Sequence, residues 1–278
     1  MVIGVIGSIT KDRIIIDQTN DQFDHVGGTV YYSSLTLAHL GCSVISIPLL
    51  AEKDSYLLKH FKHENIACYP AWTERTTEYE NRYPSDSYDI CERTIIAHAS
   101  DFSLTNTILK NLSVCSAIHL GPLAHDEFSP DTFTKLREHV SGIIGFDAQG
   151  FLSGEEEYFN EVVQGTIDII KLSSHELLSI TKETDEAMAV EKLIGLGIHE
   201  IVVTRGSQGS TICYNQERID LPASKPQQII DATGCGDTYF AAYLLKRTEG
   251  YSREDSGKYA SRIAAEKLAY RGPIKDEK

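Results

Sequence analysis

The residues best placed to do chemistry are Asp231-Ala232-Thr233-Gly234-Cys235-Gly236-Asp237-Thr238. Two apolar residues, Ile229 and Ile230, precede them and read as the end of a buried strand. Tyr239–Leu245 follows, too apolar for a surface helix, and reads as a buried one. The chain thus leaves a strand, turns through two glycines and enters a helix. Glycine there lets backbone N–H groups face outward with no Cβ in the way. The helix start adds unpaired donors and a partial positive charge. Together these make an anion site. Asp237 then sets a carboxylate at the mouth of a site that attracts negative charge. Ser or Asn would serve equally well as a structural cap. A carboxylate beside a bound phosphate suggests a group that takes a proton from an attacking hydroxyl. An ordinary Gly-rich turn with Asp237 as helix cap has the same residue types, so the remainder of the chain has to discriminate.

Composition narrows the classes. The chain has 278 residues, with 41% hydrophobic and 24% charged, the balance of a soluble globular protein. That length permits one large α/β domain or two small ones. The net charge of −14 argues against nucleic-acid partners and anionic membranes. Cys42, Cys68, Cys91, Cys115, Cys213 and Cys235 are scattered with no CxxC pair, as expected of reduced thiols without a zinc site. Met1–Gly7 lacks the basic start and the long apolar core of a signal peptide and reads as a first strand, so a cytoplasmic location is expected. No apolar run is long enough to span a bilayer.

The elements that must position the turn follow from periodicity. Apolar runs of strand length recur at Val2–Ile6, Ser43–Ile47, Ala117–Leu120, Ile143–Asp147, Ile167–Leu172 and Glu200–Thr204. Continuous runs of this kind fit strands covered on both faces. Between them, Val30, Ser34, Leu35 and Ala38 share a helical face that ends at Gly41. Ser129-Pro130-Asp131 is a helix start, with Phe133, Leu136 and Val140 following at helical spacing. Thr184-Asp185-Glu186 opens another helix, with Ala187, Val190 and Ile194 predicted inward. Ser252–Asp255 resembles a capping box leading to Tyr259, Ile263 and Ala264. Strand and helix alternate from about residue 100 onward, which predicts a mostly parallel sheet with helices on both faces. Residues 11–26 and 74–98 do not fit that rhythm. Both read as antiparallel strands of an exposed sheet, two excursions expected to pair in space. The expected organisation is one domain, 1–278, with a small β appendage.

At this point the residues resemble a known family. Asp231–Asp237 looks like the DTxGxGD signature of the ribokinase-like (PfkB-type) carbohydrate kinases, and Gly27–Gly41 is similar to their N-terminal signature: a glycine pair, a small-residue helix and a terminal Leu-Gly. The two lie some 200 residues apart in the right order. The resemblance implies a three-layer α/β fold with a β lid made by residues 11–26 and 74–98. It implies transfer of the γ-phosphate of ATP to a hydroxyl of a small sugar or polyol. Asp237 then resembles the catalytic base, and the N–H groups of Gly234, Cys235 and Gly236 the anion hole. Asp12, Gly27, Gly28 and Tyr32 match acceptor-binding positions. Lys171, Ser173 and Glu176 resemble the KxNxxE segment, whose Glu organises Mg²⁺ through water. Thr204, Gly206 and Gly209 resemble the TxGxxG turn along the nucleotide. The carbonyls of Asp231 and Thr233 match part of a monovalent-cation site, with K⁺ as the expected ion.

Departures shape the expectations. Tyr32 stands where many members have an acceptor-contacting Asn, so ribose is expected to be a poor acceptor. Ser173 replaces the Asn of KxNxxE, and Cys235 stands where Ala is usual, at a helix start that favours thiolate. Gly272-Pro273-Ile274 is followed by a short charged tail rather than the longer end that often completes the cation site. Tyr79–Tyr83 and Arg93 look more like branches acting on inositol-like polyols or unassigned sugars. Arg82 and Arg93 read first as edge-strand charges, and His119 and His175 as structural. Rival readings are a nucleoside kinase, a vitamin-precursor kinase lacking the lid, and a non-catalytic sensor of sugar or nucleotide. A dehydrogenase is disfavoured because no GxGxxG follows the first strand, and a P-loop enzyme because no GxxxxGK[ST] occurs. The exposed β layer offers a surface for a homodimer.

Overall fold

The computed structural model describes residues 1–84, 92–100, 102–151, 156–215 and 217–274. The chain opens with β1 (Val2–Ser8), β2 (Thr10–Ile16), β3 (Asp21–Gly27) and helix α1 (Thr29–His39). β4 (Ser43–Ala51) runs into 3₁₀ turns over Glu52–Phe61, then β5 (Ile66–Cys68), β6 (Ala71–Thr73), β7 (Thr77–Tyr83) and β8 (Glu92–Ala97). Next come α2 (Asn106–Leu112), β9 (Ala117–Gly121), α3 (Pro130–His139), β10 (Ile143–Asp147), α4 (Glu156–Val163) and β11 (Ile169–Ser173). They are followed by α5 (Ser174–Thr181), α6 (Glu186–Gly195), β12 (Glu200–Thr204), β13 (Ser210–Tyr214) and β14 (Glu217–Leu221). α7 (Cys235–Thr248) and α8 (Arg253–Lys267) close the described chain.

Among the described residues, ten strands form the main sheet in the order β14-β13-β12-β11-β10-β9-β1-β4-β5, with β6 also on β4. β1 pairs in parallel with both β4 and β9, Ile3 lying between Val44 and Ala117. The chain winds outward from β1 one way and then returns to wind the other way from β9. Crevices at such reversals, beyond the carboxyl ends of the strands, are where open α/β sheets bind ligands. Helices cover both faces. Ile3 and Val5 pack toward α1, and Tyr239–Leu245 of α7 with Ile263 of α8 extend that side. Ile6 of β1 joins the opposite core with Leu109, Phe133, Phe159, Leu177 and Leu193 of the other helices. The mostly parallel α/β architecture expected from the alternation is the one observed.

Three details differ from the sequence reading. Ile229 and Ile230 belong to no strand and are 52% and 37% exposed; the run before the glycine turn is extended coil tied to α8 by Ile230 N–H on the Leu268 carbonyl at 2.7 Å. The sheet ends in an antiparallel meander, β12-β13-β14, where strict alternation predicts a helix. α6 buries Ala189 and Leu193, with Val190 and Ile194 only half-buried and Ala187 exposed. Its N-cap, Asp185, accepts from Ala187 and Met188, and this fixes the rotation of the helix.

The two irregular excursions form a second sheet in the order β3-β2-β7-β8. β2/β3 and β7/β8 are antiparallel, while the central pair β2/β7 is parallel, Asp12 opposite Tyr79. Residues 85–91 of the second excursion lie outside the described residues. The described cysteines are free thiols; Cys91 falls in that same stretch. Among the described residues, no helix is long and apolar enough to cross a membrane.

Candidate active site

The glycine turn is built as its residue types require. Gly234 caps α7 at φ 76°, a left-handed conformation that side chains resist, and a Cβ there would strike the Tyr32 ring at 2.3 Å. The Cys235 amide donates to the Ala232 carbonyl at 3.2 Å, closing the turn. Of the three amides expected to form an anion hole, those of Gly234 and Gly236 have no acceptor among the described residues, whereas that of Cys235 is spent on the turn. Burial pushes the Cys235 thiol up to about 12, so the thiolate expected at a helix start does not form.

Asp237 sits in the first turn of α7, buried. Its Oδ1 accepts from Gln149 Nε2 at 3.0 Å, and the same Gln149 amide donates to Thr29 Oγ1 at 2.6 Å. Burial raises the Asp237 pKa; Lys171, Gln149, Thr29 and Arg93 pull the other way without cancelling it. Lys171 lies at the middle of β11, buried, and donates to both oxygens of the fully buried Asp147, at 2.9 and 3.1 Å. Burial works against the Lys171 ammonium, but Asp147, Glu176 and Asp237 outweigh it and hold its pKa above the usual lysine value. A Cβ on Gly236 would meet Lys171 Nζ at 3.0 Å, so this ammonium lies against the glycine turn. His119, Asp147 and Asp237 each offer a ligand atom within 4.8 Å of the others. The charge that occupies the cluster is Lys171. His119 is neutral, pushed down to about 3 by burial and then by Lys171.

A cavity of about 730 Å³ lies between the second sheet, α1 and the 3₁₀ turns after β4, lined by Asp12, His25, Tyr31, His60, Tyr79 and Arg271 among others. Asp12, on β2, is buried, and its Oδ1 has no hydrogen-bond partner. Burial raises its pKa to about 6, the charges of Asp237 and Asp231 adding to the effect. The glycine pair makes room for the fold itself: a Cβ on Gly27 would meet Asp12 Oδ2 at 2.1 Å, and one on Gly28, at φ 92°, would meet the Ser8 carbonyl at 2.1 Å. Tyr32 departs from expectation. It is 1% exposed, packed over Gly234 with its hydroxyl 3.1 Å from His25 Nε2, and does not line the cavity. Its neighbour Tyr31 does, which the sequence did not single out. One helical step of about 100° decides which of the two rings faces out.

The third group lies at the ends of β11 and β12. Ser173 caps α5 in a reciprocal box with Glu176, Ser173 N–H on Glu176 Oε2 at 2.6 Å and Glu176 N–H on Ser173 Oγ at 3.2 Å. A serine at this position therefore serves the helix, and half of Glu176 does too. Glu176 Oε1 makes no hydrogen bond among the described residues, which fits a carboxylate contacting a hydrated Mg²⁺ through water. Thr204 ends β12, and Gly206 and Gly209 take φ 54° and 97° in the tight turn that follows. A Cβ on Gly209 would strike the Leu221 carbonyl at 2.1 Å. Asp231 and Thr233 lie before the glycine turn, where Asp231 Oδ1 accepts from the Thr233 amide at 2.9 Å. The Asp231 carbonyl accepts from Lys267 Nζ at 2.8 Å, a residue the sequence reading passed over. Thr233 Oγ1 meets the Tyr83 hydroxyl of β7 at 3.0 Å. Arg82 is an exposed partner of Asp17, and Arg93 bonds Asn81 Oδ1 while lying over the Tyr79 ring.

This topology, with the site at the carboxyl edge of the sheet and the second sheet above it, is a ribokinase fold. A sulfate-bound pyrophosphate-dependent kinase of the ribokinase family superposes with a TM-score of 0.81 over 99% of this chain and 98% of its own, at 24% identity. Arabidopsis thaliana ribokinase, solved with ribose and ATP, gives 0.80 over 98% and 93%, at 19% identity. The chain belongs to the pfkB family of carbohydrate kinases, whose sequence model matches residues 33–278. Curated relatives include an Arabidopsis thaliana ribokinase, 33% identical over 41% of this chain and 32% of its own. A Methanocaldococcus jannaschii nucleoside kinase is 38% identical over 22% and 20%, and an Escherichia coli 2-dehydro-3-deoxygluconokinase 37% over 28% and 26%. The chain spans about a third or less of the length of the curated relatives it matches.

Proposed function

We propose that the chain is an ATP-dependent kinase that phosphorylates a hydroxyl of a small sugar or polyol. The observation that carries this reading is Asp237: a buried carboxylate at a helix N-terminus, beside the glycine turn and the Lys171 ammonium, and near enough to Asp12 on the cavity wall for its charge to raise the Asp12 pKa. Asp12 holds an acceptor hydroxyl through its open Oδ1. Asp237, oriented by Gln149, takes the proton of the attacking hydroxyl. The amides of Gly234 and Gly236 and the Lys171 charge stabilise the negative charge that grows on the transferring phosphoryl oxygens. Lys171 stays charged because Asp147 pairs with it, and Asp147 in turn needs that pair to remain buried. Glu176 would hold Mg²⁺ through water, the ion neutralising phosphate charge when nucleotide is bound. Thr204, Gly206 and Gly209 border the nucleotide.

A nucleoside acceptor is the second reading. The cavity has the volume of a drug-sized ligand site and carries Tyr31, Tyr79 and His60 on its walls, the aromatic lining a base requires. A screen of Mg·ATP and of pyrophosphate against sugars, polyols and nucleosides, read as phosphorylated product, separates these. Turnover with ATP and a sugar or polyol is the expected result. Product only with nucleosides selects the second reading, and product only with pyrophosphate replaces ATP as donor. Binding without turnover of any acceptor leaves a sensor in place of a kinase.

A further inference from the structure

We infer that Lys267 is a built-in cation: its ammonium takes the place of a monovalent ion at the Asp231 turn and positions the anion-binding loop, so the chain works without K⁺. The residues do not fit a separate ion there. Lys267, the last residue of α8, is 0% exposed, and its Nζ donates to the Asp231 carbonyl at 2.8 Å and to Asp231 Oδ2 at 3.2 Å. The face of the Tyr32 ring lies 5.4 Å from the same charge. A second cation on these oxygens would meet the ammonium at short range, away from screening water. Asp231 has further donors: Oδ1 takes the Thr233 amide and Oδ2 also takes that of Gly272 at 3.2 Å. Burial disfavours the carboxylate, yet Lys267 and these amides hold its pKa below the usual value.

The clamp reaches the reacting centre through few atoms. Leu268, next to Lys267, accepts the amides of Ile230 and Asp231, fixing the approach to the turn. Three residues beyond Asp231, Gly234 packs against the Tyr32 ring that the ammonium also faces. Lys267 is thus a positioning residue for the Gly234 and Gly236 amides.

Wild type and Lys267→Ala are compared in tetramethylammonium, sodium, potassium and ammonium chlorides at equal ionic strength, by melting and by phosphoryl transfer to the best acceptor of the screen. Wild type is expected to melt within about 1 °C in all four, and its rate to be unchanged. Lys267→Ala leaves a buried carboxylate unpaired and is expected to melt roughly 10 °C lower in tetramethylammonium. Ammonium or potassium, small enough to enter the vacated space, restore part of that loss with saturable dependence and raise the rate in parallel. A wild-type rate or melting temperature that climbs saturably with potassium overturns the inference, as does a variant that no cation rescues. If the variant does not fold, the wild-type titration alone decides. The rate arm rests on the kinase reading and the melting arm does not; absent turnover with intact cation-insensitive melting sinks the kinase and leaves the clamp.

Discussion

Asp237 and Asp12 are both buried carboxylates, but their surroundings give them different work. Asp237 has a donor, Gln149, and a neighbouring ammonium; Asp12 lines the cavity and keeps one buried carboxylate oxygen, Oδ1, without a partner. Asp237→Asn keeps shape and nucleotide binding and removes the base, so kcat should fall by ~10² to 10⁴; near-normal turnover with the best acceptor would refute the assignment. Asp12 must be ionised to accept from a hydroxyl, and its pKa stands at about 6. Acceptor kcat/KM should therefore rise as pH passes upward through that value. Asp12→Asn should lose roughly 10- to 100-fold at pH 8, the worth of a hydrogen bond to a charge, and lose that limb of the profile while keeping the one due to Asp237. An unaltered profile would remove Asp12 from the acceptor site. At this scale the residue types were legible in the sequence: Asp237 and both glycine pairs were singled out before their surroundings were known, as was Asp12. The sequence could not display pairing. Asp147 closes an apolar strand run and Lys267 falls four residues after Ile263 on the buried stripe, so each was a charge written into a core pattern, visible but mute until its partner was known.

Among the elements, a buried carboxyl group lies at the joint between the two sheets. Glu127, on the short turn between β9 and α3, is fully buried; it accepts from the Leu123 amide at 2.7 Å and contacts the Ser8 hydroxyl at the end of β1. Thr77 Oγ1, at the start of β7, donates to that hydroxyl at 3.1 Å and accepts the Ala99 amide. Burial pushes Glu127 from 4.5 up to about 8, so the folded chain holds a proton that the unfolded chain releases. Stability from this group is full below about pH 4.5 and is lost as pH rises through 8. Glu127→Gln mimics the protonated form at every pH. Its melting temperature should exceed that of wild type by on the order of 5 °C at pH 9, with the gap closing toward pH 5; parallel curves would show Glu127 ionised in the fold. Strand positions were legible because apolar runs such as Ile143–Asp147 and Glu200–Thr204 coincide with observed strands residue for residue. Ile229 and Ile230 misled for a physical reason: an apolar pair next to a glycine turn reads as a strand end, yet their amide and side chains answer to α8 and solvent rather than to a ladder. The β13-β14 meander escaped because polar side chains hold it, Thr211 bonding Asp220 across the pair and Arg218 bonding Asp220 along β14, leaving little hydrophobic signal.

For the whole molecule the question is what keeps the small sheet over the cavity. Its ties to the main body are few and polar. The Tyr79 hydroxyl bonds the Leu123 carbonyl at 2.9 Å, Lys11 pairs with Asp54, and Arg271 lies over the Phe23 ring. Lys11 is partly exposed, though Asp54 is buried, and solvent screening of the lysine limits what the pair contributes. Tyr83 is different, because its hydroxyl meets Thr233 at the entrance to the glycine turn. A closed sheet excludes water from the phosphoryl group, and an open one admits it. Removing one hydroxyl at this contact costs about 1 kcal/mol, which shifts an open–closed equilibrium about five-fold. In Tyr83→Phe the ratio of acceptor-independent ATP hydrolysis to phosphoryl transfer should rise by up to that factor, while the melting temperature drops only a few degrees. The ratio is the decisive quantity, since general destabilisation lowers both rates together. If hydrolysis and transfer decline in step, the small sheet is a fixed wall of the acceptor cavity and does not move in the reaction.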